Sequence, residues 1–144
     1  MTTMTATREA AFHQAGHAVA THLSRFHVLV QPVSVDPYGT GEWTAGLSRR
    51  KLEAADKIVD PAARADPEVA TSIATILCAG LSSELIAASK DAALDPDPAR
   101  SSGDFALARQ ELRLSGLPED LGPHERSAAA SLAAPWADVE RIAD

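Results

Sequence analysis

The chain has a single cysteine, Cys78. No internal disulfide can form, and the surrounding Ile76-Leu77-Cys78-Ala79 run marks this thiol as a small buried hydrophobe. Aromatic residues are equally sparse, at 4%, while apolar residues reach 45%, much of that alanine. Such a composition argues against an aromatic-rich β-sandwich and for closely packed helices. Basic residues are in deficit, 13 against 20 acidic ones, for a formal charge of −7. That balance argues against nucleic acid or an anionic membrane surface as partner. The sequence also lacks an apolar run approaching the ~18 residues of a membrane span. Its first residues, MTTMTATREA, carry no apolar signal segment. One cytoplasmic domain over residues 1–144, frayed over 1–7, is the expectation.

Hydrophobic spacing predicts a mainly helical α+β fold, a helical bundle with a small β-hairpin or sheet. A first helix is expected from Arg8 to Arg25, after Thr5 or Thr7 as N-cap, with Phe12, Ala15, Val19 and Leu23 on its core face. The β-branched segment Val28 to Val35 and the segment Glu42 to Leu47 read as strands around a turn at Asp36–Gly41, with Pro32 at an edge position. Ser48 to Asp66 reads as a loop with a short helical turn. A central helix is expected from Asp66 or Pro67 to Ser89, with Ile73, Ile76, Leu77, Gly80, Leu81, Leu85 and Ile86 on its apolar face. The DPDP stretch within Lys90 to Arg100 excludes regular helix. Phe105 to Leu114 forms another helix, opened by Ser101 to Asp104 and closed by Gly116 and Pro118. The last helix runs from His124 to the end and is kinked or split by Pro135.

Chemistry is concentrated in His13-Gln14-Ala15-Gly16-His17. Histidines four apart on a helix project from one face, which is the arrangement that lets two imidazoles hold one zinc ion. In H-E-x-x-H metallopeptidases the residue after the first histidine is a glutamate that takes a proton from metal-bound water. Gln14 stands there, and an amide is no carboxylate base. A catalytic zinc needs a third protein ligand. His22, His27, His124, Cys78 and the carboxylates are all candidates, and spacing leaves the choice open. Without a role at a metal, His22, His27 and His124 are expected at the surface, and Trp43 and Trp136 are expected to pack.

The segment HQAGHAVA resembles the HEAGHA segment in the zinc peptidase domain of the membrane-bound AAA proteases, the FtsH family. Leu77-Cys78-Ala79-Gly80-Leu81-Ser82-Ser83-Glu84-Leu85 is similar to that family's central-helix segment, apolar-A-G-R-x-A-E-E. Ser101 to Ala108 is similar to its G-A-x-x-D-apolar-x-x-A segment, and Pro32-Val33-Ser34-Val35 to its P-V/I-x-x-V/I edge strand. The resemblance spans roughly residues 8–116. It implies zinc held by His13, His17 and Asp104, with Glu84 behind the histidines. It also implies a peptide or unfolded polypeptide as substrate, tracked along Val33, Ser34 and Val35. Taken without the resemblance, Asp104 is an acidic residue favoured in the first turn of a helix, and Glu84 a surface carboxylate. The family packs in rings, so an oligomer is possible.

Departures from the family pattern shape the expected activity. Leu81 stands in place of the usual arginine. No G-x-x-x-x-G-K-S/T loop is present, so the implied activity is independent of ATP. Replacing a positioned base costs roughly 10²–10⁴-fold in rate, so this chain is expected to be inactive or strongly impaired as a peptidase. Residue 14 fits three accounts. One is an isosteric glutamate-to-glutamine exchange that traps an inactive complex. A second is a natural pseudo-enzyme that binds zinc and a peptide or small ligand without hydrolysis. The third is a different zinc-assisted reaction with another base, such as Glu84 or Glu42.

Overall fold

The computed structural model describes residues 7–35 and 41–144. The expected turn over 36–40 and the frayed start over 1–6 lie outside these residues. The fold is mainly helical α+β. Its order is α1 (Arg8–Leu23), β1 (His27–Val35), β2 (Gly41–Leu47), α2 (Arg49–Ala54), α3 (Pro67–Lys90), α4 (Ser102–Leu114), α5 (Gly122–Ala133) and α6 (Trp136–Ala143). Short 3₁₀ turns occupy Pro61–Ala65 and Pro98–Ser101. Helix α3 is the centre, packed by α1, α4 and α5, while α1 also meets α6 and both strands.

Helix α1 starts where Thr7 Oγ1 accepts the Ala10 amide at 3.0 Å, so Thr7 is an ordered cap and not part of a frayed end. It stops two residues before the expected Arg25. Ser24 Oγ accepts the amides of Phe26 and His27, both at 3.1 Å, and this local bond turns the chain into β1. Lys51 Nζ then donates to the carbonyls of Ser24 at 2.7 Å and His27 at 2.6 Å, placing a cation at the helix C-terminus. Phe12, Ala15 and Val19 are buried as expected, but Leu23 is 50% exposed. It sits on the last turn, at the edge of an open cleft beside Phe26 and Pro67.

The strands form an antiparallel pair in register from His27↔Leu47 to Val35↔Gly41. Register shifts fall between Leu29 and Gln31 and between Gln31 and Ser34, and Pro32 lies in the second, where no ladder donor is needed. The backbone of Val33, Ser34 and Val35 runs in β1. Their expected contacts to a peptide rest on side chains outside the described set, as does the packing role of Trp43. The 48–66 segment carries more structure than one helical turn. Ser48 caps α2 by accepting the Lys51 amide at 3.2 Å, and Asp60 opens the 3₁₀ turn by accepting the Ala62 amide at 2.8 Å.

Helix α3 begins at Pro67, with the Asp66 carboxylate accepting the Glu68 amide at 2.9 Å. Contrary to expectation, it contains an 18-residue window with mean hydropathy 1.6, long and apolar enough to cross a membrane by composition. In this fold 61% of that window is buried, which is the pattern of a core helix. Its buried side consists largely of small residues, Ala70, Ala74, Ala79, Gly80, Ser83 and Ala87. Leu85, placed on the core face by spacing, is 53% exposed, while its neighbour Glu84 is 1% exposed. The helix turns Glu84 rather than Leu85 toward α1, because Glu84 finds ionic partners there.

Two glycines let α1 and α3 touch. A β-carbon on Gly16 would stand 2.6 Å from the Ala79 carbonyl oxygen and would also strike the Ser83 side chain. One on Gly80 would stand 2.5 Å from Nε2 of both His13 and His17. Elsewhere the core is conventional. Phe12 stacks on Trp136 at 5.6 Å between ring centroids, and Leu77, Leu112, Leu132 and Val139 fill the space between helices. Pro135 separates α5 from α6, as its ring requires.

Candidate metal centre

His13 and His17 stand one turn apart on the buried face of α1, with their Nε2 atoms 3.0 Å from each other. Asp104 comes from the first turn of α4. Its Oδ2 lies 3.0 Å from His17 Nε2 and 3.3 Å from His13 Nε2. The structure thus brings together the three residues singled out from the sequence into a group that could hold a metal ion.

The far side of each ring fixes what the near side offers. His17 Nδ1 is 2.8 Å from the Ile76 carbonyl oxygen. A carbonyl only accepts, so Nδ1 carries the proton and a neutral His17 presents a bare Nε2. His13 Nδ1 is 2.7 Å from Glu84 Oε2, and donation to this carboxylate leaves His13 Nε2 bare as well. Two nitrogen lone pairs and a carboxylate oxygen therefore face one another at 3.0–3.3 Å. That is mutual repulsion unless a proton or cation sits among them. Tetrahedral zinc with bonds of ~2.0–2.1 Å sets its donors about 3.3 Å apart, so the spacing and the donor set fit such an ion. The space opposite the rings is kept open by the missing side chain of Gly80.

Without an ion the three groups share protons. Burial disfavours a charge on His13, but the Asp104 and Glu84 carboxylates outweigh it and raise its pKa. Burial prevails at His17, with His13 adding repulsion, and its pKa is lowered. Burial also opposes ionisation of Asp104, yet bonds from both histidines hold its pKa down to about 2. The cluster resists carrying two imidazolium charges and keeps its carboxylate ionised, which is the state that a metal ligand needs.

Glu84 is buried, not a surface carboxylate. Its Oε1 accepts from Arg100 Nη1 at 2.7 Å and from the Asp97 amide at 3.1 Å, while Oε2 meets His13. Both oxygens are engaged, which weighs against Glu84 as an alternative base; the Glu42 side chain lies outside the described set. Gln14 is 5% exposed, and its Oε1 has no hydrogen-bond partner among the described residues. Leaving an amide oxygen buried and unpaired costs ~1–3 kcal/mol, so this atom is poised to accept from a water or an incoming N–H.

The other candidates stand apart from the cluster. His22 is exposed and His124 half-buried. His27, expected at the surface, is 4% exposed. Its Nδ1 bonds Ser24 Oγ at 3.0 Å, and burial, reinforced by the Lys51 charge, pushes its pKa down to about 4. Cys78 is fully buried, as expected, and burial pushes its thiol up to about 12. Sequence reasoning missed Arg100 and the gap at Gly80. The glycine was readable as an interruption in a helix of good formers, whereas nothing in the DPDP loop announces where Arg100 reaches.

Compared with known proteins, the chain matches no family model, no curated protein and no solved structure.

Proposed function

We propose that His13, His17 and Asp104 bind zinc, and that the chain is a metallopeptidase-like protein of the FtsH peptidase type that engages peptides or unfolded segments without ATP. The observation that carries this reading is the convergence of an Asp104 carboxylate oxygen with the Nε2 atoms of two histidines whose Nδ1 atoms bond Glu84 and Ile76 on the opposite sides of the rings. Borderline nitrogen and oxygen donors in this number, with no fourth protein donor among the described residues, are the set used by catalytic rather than structural zinc. Zinc in such a site supplies a Lewis acid that polarises a carbonyl and acidifies a bound water. Position 14 then decides between turnover and capture. A glutamine accepts a hydrogen bond but takes no proton, so this chain is strongly impaired in hydrolysis.

The alternative, a zinc protein that holds a peptide or small ligand without hydrolysing it, is favoured by Gln14 Oε1, which has no partner among the described residues. That atom offers binding without base catalysis. Elemental analysis of protein purified without added metal is the first test, and one zinc per chain is expected. The second is Gln14→Glu assayed on a fluorogenic peptide library, with a gain of roughly 10²–10⁴-fold over the parent chain. Absence of stoichiometric metal sinks the whole reading. Zinc without any gain from Gln14→Glu leaves the capture reading.

A further inference from the structure

The segment from Asp97 to Asp104 touches both ends of one imidazole. Asp104 Oδ2 stands at 3.3 Å from His13 Nε2. Through Glu84, the Asp97 amide and Arg100 reach the opposite nitrogen, in a chain of bonds of 3.1 and 2.7 Å to Glu84 Oε1 and 2.7 Å from Glu84 Oε2 to His13 Nδ1. The Glu84 side chain is fully buried, and that of Arg100 is 27% exposed. A buried carboxylate with one imidazole as its only partner would be free to rotate about its terminal bond and would lack a fixed countercharge. The guanidinium and the amide hold one oxygen, so the other is held against His13 in one orientation.

Resting on the metal reading above, we infer that Arg100 is a positioning residue for the centre, fixing the His13 ring through Glu84 so that its Nε2 meets the ion. The connector between α3 and α4 thereby does two things at once. It leads into the first turn of α4, which delivers Asp104, and it braces a ligand already present on α1. A partner behind a ligating histidine is worth about 10–100-fold in metal affinity, and Arg100 acts one bond further out.

The test uses the full chain and its Arg100→Ala and Arg100→Lys variants, with Arg113→Ala as a control. Arg113 pairs with Glu119 at the surface. Zinc affinity is measured by competition with a chromophoric chelator, and the visible spectrum of the Co2+ form reports ligand geometry. Arg100→Ala should bind zinc about 10-fold more weakly and shift the Co2+ bands. Arg100→Lys, which keeps the charge, should recover part of both, and Arg113→Ala should match the parent. Should Arg100→Ala fail to fold by circular dichroism, Arg100→Lys alone decides, with a weaker affinity and an altered spectrum expected in a folded protein. Parent-like affinity and spectrum in the folded variants would overturn the inference while leaving the metal reading intact. A parent chain that binds neither ion overturns both.

Discussion

Gly80 and His17 occupy one another's space: a β-carbon on Gly80 would stand 2.5 Å from His17 Nε2. The same absent methyl would press equally on His13. Gly80→Ala is therefore expected to abolish stoichiometric metal binding, since neither ring can retreat from α3 without losing its Nδ1 bond. Overpacking at such a contact costs typically 1–3 kcal/mol. Urea titration of the metal-free variant against the metal-free parent measures that cost. Zinc retained at parental affinity would show that the rings move aside.

Among the described residues, Asp104 supplies the only carboxylate oxygen in the cluster. Asp104→Asn keeps the shape and loses the charge, so it should retain the fold and weaken zinc binding by orders of magnitude. In the parent, saturating metal should raise stability by ~2.7 kcal/mol at a hundredfold excess over Kd, and EDTA should reverse this. Thermal melts with and without chelator, on both proteins, check it. A chelator-insensitive parent melt contradicts the expectation.

His27 gives the fold an acid limb. Its folded pKa is near 4, below the 6.5 of an unperturbed imidazole. Between these values the unfolded chain binds the extra proton, so the contribution of His27 to stability is intact above pH 6.5 and lost as the pH falls toward 4. The full effect is on the order of 3 kcal/mol. His27→Gln should flatten this part of the curve. Urea midpoints of metal-free protein at several pH values, parent against variant, isolate it; parallel curves would count against the assignment.

Arg64 grips Glu111 with two bonds, at 3.0 and 2.5 Å, and the Glu111 side chain is 7% exposed. Removing the guanidinium strands a buried carboxylate. Arg64→Ala is expected to destabilise by ~1–3 kcal/mol at neutral pH. Because Arg64 is itself half-exposed, solvent screening keeps the effect toward the lower end. Denaturant midpoints of parent and variant at pH 7 give the comparison, and coincident midpoints would count against it.

Helix positions were legible because their ends are written in local chemistry: Thr7, Asp66 and Pro67 at starts, Gly116 and Pro135 at stops. The metal group was legible in part, since the i, i+4 histidines are a local pattern. Asp104 entered only through a resemblance to a known family, because no spacing rule relates it to His13. Leu85 was misread for a physical reason, whereas Glu84 stands behind His13 as the resemblance implied. Periodicity assigns faces by hydrophobicity, and an ionic chain from His13 to Arg100 reversed the order of burial at that turn. His27 escaped because its burial is produced by the hook at Ser24 and the lysine from α2. Arg100 escaped because the course of an irregular connector is set by what it docks against, not by its own residues.

His13 and Asp104 are 91 positions apart, yet they meet at hydrogen-bond distance. The centre thus closes the longest loop that its donors allow, and no fragment lacking either end of that span contains it. An ion captured here reports that the chain has completed its tertiary course. During refolding, cobalt colour should appear together with the last cooperative phase, not with the early helical signal.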